Sequence, residues 1–292
     1  MVRTHPDCPR CSSLSWLPGR FRQAAGIYPR STASNRKGAP TMKIAVIGAT
    51  GTAGSRTVAT LKNRGLSPVK VSRSTGVDLI TGKGLTDALD GVDVVIDTSN
   101  AFPPDETIGL HEALTSATRH IVEACVAQRV GHLVFLSING VDSPVFDDFP
   151  YYVAKRAQDD IVANSNVPST VVKSSQWHEF ATNPSAVTFE DEEVRVEDWL
   201  IQPVAADTVA EALVEAALGR PGAGPRTIAG PETIRLPELT TKLLSRLGGP
   251  RPVRTTAPAL PALSEGALLA PDHAAILGPD IDTWLHTVDT AT

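Results

Sequence analysis

The chain has 292 residues, of which 41% are hydrophobic, and its formal net charge is −5 at pH 7. This length fits one large or two small domains, and the apolar content is enough for a sizeable core. No run approaches the roughly 18 to 20 apolar residues of a membrane-spanning helix, and the acidic balance does not favour nucleic acid, whose binding depends on Lys and Arg.

The charge is spread unevenly along the chain. Residues 1–41 carry about +6 and the remainder about −11. The first segment is rich in Ser, Arg and Pro and lacks the apolar run of a secretory signal. We predict that residues 1–41 are a disordered leader or an upstream start assigned in error before Met42, and their composition is also compatible with an organellar transit peptide.

The three cysteines predict neither a disulfide framework nor a metal site. Cys8 and Cys11 form a lone CxxC, which cannot complete a tetrahedral zinc site from cysteine. Cys125 falls in an apolar helical stretch and is predicted to be a small core residue. The cysteine usage indicates a reducing compartment, and the lack of an export signal predicts a cytoplasmic location.

From Met42 onward, strand and helix patterns alternate. The predicted strands are 43–47, 68–72, 77–79, 92–98, 133–137 and 170–173, and the predicted helices are 52–64, 85–89, 106–129 and 151–164. This order predicts an α/β fold, a doubly wound parallel sheet of Rossmann type, over residues 42–183. Residues 184–292, with helices at 206–218 and 237–247 and a strand at 227–229, are predicted to form a small C-terminal region packed on the sheet edge.

A glycine-rich turn separates the first predicted strand from the first predicted helix. Its members are Gly48, Thr50, Gly51, Thr52, Ala53 and Gly54. The first glycine permits a tight turn, the second lets the backbone approach a pyrophosphate, and the third allows close packing of helix on strand. Because a strand precedes the motif and a helix follows it, the sequence predicts a dinucleotide site at the helix N-terminus.

The end of the second predicted strand favours NADPH, the reduced form of NADP, over NADH. An acidic residue at this place binds the ribose 2′-hydroxyl of NAD, whereas arginine accommodates the 2′-phosphate of NADP. Here Arg73 stands between Ser72 and Ser74, and no acid occurs before Asp78. Asp78 and Leu79, on the third predicted strand, are expected near the adenine.

At this point the sequence resembles the short-chain dehydrogenase/reductase superfamily, and more narrowly its atypical, NmrA-like branch. The resemblance covers about residues 42–250 and rests on four segments: the glycine turn 48–54, the strand region 92–100, the helix start 151–155 and the segment 171–180. It implies that Thr98, Ser99 and Asn100 line the cofactor pocket, that Ser137 orients a substrate carbonyl, and that Lys155 contacts the nicotinamide ribose.

The resemblance also places the candidate catalytic tyrosine. Tyr151 and Lys155 are four residues apart on a predicted helix and therefore share a face. A lysine ammonium beside a phenol lowers the pKa of the hydroxyl, and such a tyrosine can deliver a proton while the cofactor moves hydride. Tyr152 has Arg156 at the same spacing, which does not fit the family pattern. We therefore assign Ser137, Tyr151 and Lys155 as the catalytic set.

The leading hypothesis is an NADPH-dependent oxidoreductase acting on a small carbonyl or quinone-like substrate, with a homodimer as the default assembly. Gln176, Trp177 and His178 are expected either to contact that substrate or to close the cleft by packing. A non-catalytic sensor that binds NAD(P)H and signals to a protein partner is the alternative. A sugar-nucleotide epimerase is less favoured, because it needs a larger C-terminal substrate domain.

Overall fold

A computed structural model describes residues 42–224, 226–249 and 251–289 of the chain. The predictions made for residues 1–41, including Cys8 and Cys11, lie outside these residues. Cys125 is buried and free, and burial raises the pKa of its thiol to about 12, so it is the small core residue that the sequence predicts. Among the helices of the described ranges, none is long and apolar enough to span a membrane.

The strands of the described residues are short, with two to seven residues each. They are β1 (Ile44–Ile47), β2 (Val69–Val71), β3 (Val94–Asp97), β4 (His132–Ile138), β5 (Ser169–Ser174), β6 (Val187–Phe189), β7 (Val194–Glu197), β8 (Leu200–Ile201), β9 (Thr227–Ala229), β10 (Ile234–Arg235), β11 (Val253–Thr256) and β12 (Ala275–Ile276).

The helices alternate with these strands as far as β5. They are α1 (Thr52–Asn63), α2 (Leu85–Ala88), α3 (Leu110–Ala127), α4 (Pro150–Ala163), α5 (Ala206–Leu218), α6 (Leu236–Arg246) and α7 (Ile281–Thr287). Short 3-10 helices lie at Arg73–Thr75, Pro144–Phe146, His178–Thr182 and Pro261–Leu263. Pro150 occupies the first turn of α4, where its missing N–H costs no hydrogen bond.

A seven-stranded parallel sheet in the order β12-β9-β5-β4-β3-β1-β2 forms the centre of the fold. The predicted Rossmann-type α/β fold is therefore confirmed, and so is the predicted strand 227–229. Strands β9 and β12 come from beyond residue 184, so this region adds strands to the sheet. The proposed division at residues 183 and 184 stays a prediction.

Helices cover both faces of the sheet because the buried strands are apolar on both sides. One face packs against α1 and α5, where Val46 and Ile96 of the sheet meet Leu61 and Leu213. The opposite face packs against α3, where Ala45 and Val95 belong to the same cluster as Ile121 and Cys125. Helix α4 lies beside α3 and supplies Val162 to that cluster.

The predicted third strand at 77–79 is wrong. This segment is irregular, and it follows the 3-10 helix Arg73–Thr75 and precedes a series of turns. Gly76, Gly82 and Gly84 all adopt positive φ, between 74° and 86°, and bend the chain away from an extended path. Val77 is buried in the core from this loop, so the apolar residues that suggest a strand are explained by packing without sheet pairing.

Helix α3 begins four residues later than predicted, at Leu110 rather than 106. The carboxylate of Asp105 accepts a hydrogen bond of 2.9 Å from the backbone N–H of Thr107, which forms a local turn before the helix. Gly109 then caps the helix N-terminus in an extended conformation.

The C-terminal region forms a layer of its own, which packs next to the end of β4 and the start of α4. Strands β6, β7 and β11 form a three-stranded sheet, and β8 pairs with β10. These strands pack with α6 and α7 around a core that includes Trp199, Leu239 and Trp284. The same core contains Phe146 and Tyr152, from the segments that flank the start of α4, so the two parts of the molecule share it.

Candidate functional site

The glycine turn connects β1 to α1 and packs on the end of β3. Gly48 adopts φ of 75°, and a Cβ atom added there would lie 3.0 Å from the Cα atom of Ser99. A Cβ atom on Gly54 would lie 2.0 Å from the carbonyl oxygen of Gly48 and 2.7 Å from the Oγ1 atom of Thr98. The turn can therefore fold this tightly only with glycine at both positions.

Helix α1 begins immediately after this turn, at Thr52, with Gly51 as its N-cap. No side chain caps this end, and no acidic residue lies in the first turn. The first N–H groups of a helix have no intrahelical acceptor, so those of Thr52 and Ala53 face the turn at the positive end of the helix dipole. Thr50 and Gly51 are exposed. The arrangement suits a pyrophosphate.

Arg73 follows the end of β2 and opens a 3-10 turn with its side chain exposed. The hydroxyls of Ser72 and Ser74 lie 2.8 Å apart, and the Ser72 N–H donates to the Oγ1 atom of Thr75 at 2.9 Å. A cation and two hydroxyls are thus present one strand away from the glycine turn, where the sequence predicts the 2′-phosphate.

Asp78 and Leu79 lie in the irregular segment that replaces the predicted third strand. The Asp78 carboxylate accepts hydrogen bonds from the backbone of Ile80 and from the Thr81 hydroxyl, at 2.9 and 2.8 Å. Partial burial raises the pKa of Asp78, but these hydrogen bonds outweigh it and the net pKa is lowered. Asp78 is therefore an ionised residue that stabilises its own turn.

The residues that follow β3 lie against the glycine turn. The backbone N–H and the hydroxyl of Thr98 both donate to the Ile47 carbonyl, at 3.0 and 2.8 Å. Ser99 donates its N–H to the buried carboxylate of Asp97 at 2.8 Å. These bonds fix the chain at the carboxyl end of the sheet, where parallel α/β proteins bind ligands.

Tyr151 projects from the first turn of α4 toward the same end of β3. The amide of Asn100 donates to the Tyr151 hydroxyl at 3.2 Å. The ring of Phe102, which is 55% exposed, stacks on the Tyr151 ring with centroids 6.0 Å apart. The structure thus brings Tyr151 and Asn100 together at the sheet edge that carries the glycine turn.

Lys155 shares a face of α4 with Tyr151 but turns its ammonium into the protein. The side chain is 3% exposed, and its Nζ atom lies 3.4 Å from the Leu136 carbonyl and 4.8 Å from the centre of the Phe135 ring. The expected lowering of the Tyr151 pKa by Lys155 is wrong for this arrangement. Burial raises that pKa, against the hydrogen bond from Asn100.

Ser137 lies near the end of β4 and is 1% exposed, so the structure does not bring it to the open side of the site. Successive residues of a strand face opposite sides of a sheet. Ser137 is on the side covered by α3 and α4, where its hydroxyl has no hydrogen bond of normal geometry among the described residues. Its predicted contact with a substrate carbonyl has no support in this geometry.

Gln176, Trp177 and His178 follow β5, as predicted, but they are largely enclosed. Trp177 donates its indole N–H to the Ser174 hydroxyl at 3.1 Å, and the Oε1 atom of Gln176 is buried. His178 is fully buried, with its ring centroid 4.8 Å from that of Trp284 on α7. Of the two interpretations given for this segment, closure of the cleft by packing fits the geometry better.

The burial of His178 predicts a pH-dependent stability. Burial lowers the pKa of His178 to about 4, against the effects of the Pro203 carbonyl and Asp280. In the unfolded chain the pKa of this histidine is about 6.5, so below that pH the unfolded state binds a proton that the folded state does not. The free energy of unfolding is therefore full above about pH 6.5 and falls as the pH drops toward 4. Between pH 7.5 and pH 5 the free energy of unfolding should fall about 2 kcal/mol more in the wild type than in His178→Leu. Urea unfolding at the two pH values measures this, and equal losses in both proteins would contradict it.

Two groups at the site have no simple signal in the sequence. Arg56 of α1 forms an ion pair of 2.8 Å with Glu179, and its Nε atom lies 3.4 Å from Asp207 of α5. This network joins α1 to the segment after β5. The stacking of Phe102 on Tyr151 is likewise a tertiary contact between distant residues, which periodicity along the chain cannot reveal.

Comparison with known proteins agrees with this geometry. Residues 48–219 match a family described as NAD(P)H-binding. The chain belongs to this NAD(P)H-binding family. The match spans more than half of the chain and includes the glycine turn, Arg73, Asn100, Tyr151 and Lys155.

A curated relative covers part of the chain. The photosystem II assembly factor Ycf39 of Cyanophora paradoxa is 27% identical over 146 residues, which are 45% of this chain and 44% of that protein. The chain thus matches less than half the length of this relative.

Solved structures of other proteins share the fold. The UDP-N-acetylglucosamine 4-epimerase of Bacillus cereus superposes with a TM-score of 0.61 at 16% identity, covering 85% of this chain and 95% of that one. A short-chain dehydrogenase/reductase superfamily protein of Agrobacterium tumefaciens with bound NAD gives 0.62 at 15% identity, covering 84% and 95%. The chain therefore shares the fold of these structures. Because 95% of the epimerase chain is covered, the expectation that an epimerase needs a larger C-terminal domain than this chain provides does not hold for that fold.

Proposed function

We propose that the protein is an NADPH-dependent oxidoreductase that reduces a small carbonyl or quinone-like substrate. The observation that carries this proposal is the Tyr151 hydroxyl, which lies beside the Asn100 amide at the carboxyl edge of the sheet. A proton donor is thus present at the edge of the sheet where parallel α/β proteins bind their ligands.

The residues of the chain fit such a cofactor. Gly48 and Gly54 leave a cradle that any side chain would fill, and the N-terminus of α1 supplies N–H donors for the phosphates. Arg73 would hold the 2′-phosphate, and Lys155 would bind the nicotinamide ribose after turning outward. When bound, the cofactor supplies the hydride.

Tyr151 would act as general acid and deliver the proton to the substrate oxygen. Asn100 would orient the phenol and share the hydrogen bonding of the substrate oxygen, because its amide already contacts the hydroxyl. The exposed ring of Phe102 would form one wall of a shallow substrate site. We assign no substrate contact to Ser137 and His178, which are buried, or to Gln176, whose Oε1 atom is buried.

Selectivity for NADPH can be tested at Arg73. Replacing Arg73 with alanine removes a charge-assisted hydrogen bond to the 2′-phosphate, so the Kd for NADPH should rise about 10- to 100-fold while that for NADH stays unchanged. Isothermal titration calorimetry of the wild type and the variant with both nucleotides measures the effect. Lys70→Ala is the matched control, since Lys70 is an exposed cation on β2. Equal weakening of both nucleotides would contradict the assignment.

A second candidate function is a sensor that binds NAD(P)H without turnover. The observation in its favour is the aromatic core of Phe146, Tyr152 and Trp199, which fills the region between α4 and the C-terminal strands. A panel of carbonyls and quinones separates the two functions. If any compound of the panel gives NADPH oxidation that is lost in Tyr151→Phe, the oxidoreductase is supported. Tight NADPH binding without oxidation by any compound of the panel supports the sensor.

A further inference from the structure

Four buried polar groups and one partly exposed lysine form a layer between the sheet and α4, beneath the candidate site. They are Asp97 of β3, Ser137 of β4, Lys173 of β5, and Lys155 and Asp159 of α4. Asp97 and Asp159 are 1% and 9% exposed. The Oδ2 atom of Asp97 and both carboxylate oxygens of Asp159 have no hydrogen bond of normal geometry among the described residues. Buried carboxylates are usually hydrogen-bonded, so charge pairing has to account for these.

The charges in this layer alternate in sign from the surface inward. The Nζ atom of Lys173 lies 2.5 Å from Asp142 and 3.5 Å from Asp159. Asp159 stands four residues after Lys155, so the two side chains occupy neighbouring positions on one face of α4. The charge of Asp97, on β3, also acts on Lys155. The order from the surface is therefore Asp142, Lys173, Asp159, Lys155 and Asp97.

Lys155 depends on these carboxylates for its charge. Burial lowers the pKa of Lys155, and the negative charges of Asp159 and Asp97 act in the opposite direction. A further titratable group that faces this layer is the Cys125 thiol of α3, which stays neutral because burial raises its pKa to about 12. Asp159 differs from Asp97 in having a second cation, Lys173, against its carboxylate.

We propose that Asp159 is a positioning residue, which, with Lys173 behind it, holds Lys155 as an ammonium beneath Tyr151. This inference rests on the proposed function, in which Lys155 binds the cofactor ribose. Asp159 touches neither cofactor nor substrate and acts through Lys155 alone.

The test measures the titration of Lys155 directly. The NMR chemical shift of the Lys155 Cε atom, followed across a pH series, gives the midpoint for Lys155 without any substrate and without reagent access to the buried amine. In Asp159→Asn this midpoint should fall by about one pH unit, since an opposite charge at this range favours the charged lysine. Asp160→Asn is the matched control, because it removes the same charge from the next, exposed residue of α4. Asp159→Glu should restore the midpoint.

A kinetic readout extends the test. If the wild type turns over, the basic limb of the pH profile of kcat/KM should shift downward in Asp159→Asn by the same amount as the NMR midpoint of Lys155. A wild type without turnover would refute the proposed function, while the NMR midpoint would still decide the inference. An unchanged Lys155 midpoint in folded Asp159→Asn would overturn the inference whatever the activity.

A second variant covers the case in which Asp159→Asn does not fold. Lys173→Met removes the cation behind Asp159, at a side chain that is 25% exposed. The Asp159 carboxyl should then protonate more readily, because burial raises its pKa and the charge of Lys173 and the nearby Ser137 hydroxyl oppose that rise. The Lys155 midpoint should fall, by less than in Asp159→Asn, and an unchanged midpoint would again overturn the inference.

Discussion

Replacing Tyr151 with phenylalanine is expected to lower kcat by about 100- to 10,000-fold while leaving the Kd for NADPH within about twofold of the wild type. The hydroxyl is the atom proposed to deliver the proton, and its contact in the structure is the Asn100 amide. The ring, its stacking on Phe102 and the backbone of α4 are all retained in the variant. Steady-state kinetics of NADPH oxidation gives kcat, and isothermal titration calorimetry gives the Kd for NADPH.

The neighbouring tyrosine supplies the control for this substitution. Tyr152 is 6% exposed, and its ring lies 3.9 Å from that of Phe146 in the shared hydrophobic core. Burial raises the pKa of the Tyr152 hydroxyl. The hydroxyl therefore stays protonated and takes no part in the proposed proton transfer. Tyr152→Phe should therefore retain most of the turnover. Equal rates in Tyr151→Phe and the wild type would refute the role of Tyr151, and so would an equal loss in both variants.

Replacing Gly54 with alanine should have the largest effect on cofactor binding. The added methyl would lie 2.0 Å from the Gly48 carbonyl oxygen, a backbone atom that cannot move without opening the turn. We expect the free energy of unfolding to fall by about 3 kcal/mol and the Kd for NADPH to rise about 100-fold, because the N-terminus of α1 shifts from the phosphates. Chemical denaturation and calorimetry measure the two effects.

Gly131→Ala is the matched control for the glycine substitution. A Cβ atom there would meet the Asp93 carbonyl oxygen at 3.4 Å, which is ordinary contact, and the position lies away from the glycine turn. Its NADPH affinity should equal that of the wild type. If Gly54→Ala binds NADPH as tightly as this control, the turn does not hold the pyrophosphate.

The centre of the fold could be predicted because its signals are local. Apolar strands alternate with amphipathic helices, and the glycine turn fixes where the first strand ends. The edge of the sheet could not be predicted in the same way. Strand β12 has two residues, Ala275 and Ile276, and its pairing with Ile228 and Ala229 is decided by tertiary packing. At 77–79 the apolar residues suggest a strand, but the surrounding glycines impose turns.

The candidate site shows the same division between local and tertiary information. Helical spacing places Tyr151 and Lys155 on one face of α4, as the structure has them. The direction of the Lys155 ammonium depends on Asp97 and Phe135, which come from separate strands. Likewise, the alternation of β4 decides that Ser137 faces the core, and a shift of one residue would have pointed it to the opposite side.

The strand order has a consequence for how the chain folds as it is synthesised. The pairs of β1 with β2 and β3, which carry the glycine turn, join segments close in sequence and can form early. Strand β5 obtains its outer neighbour only when β9 appears, and β9 in turn waits for β12. Until then β5 is an exposed edge, the kind of surface that recruits other chains. The half of the sheet that carries the glycine turn can therefore form before β9 covers the edge of β5. If the nascent chain binds a nucleotide at that stage, this half is stabilised while the rest of the chain is still being synthesised.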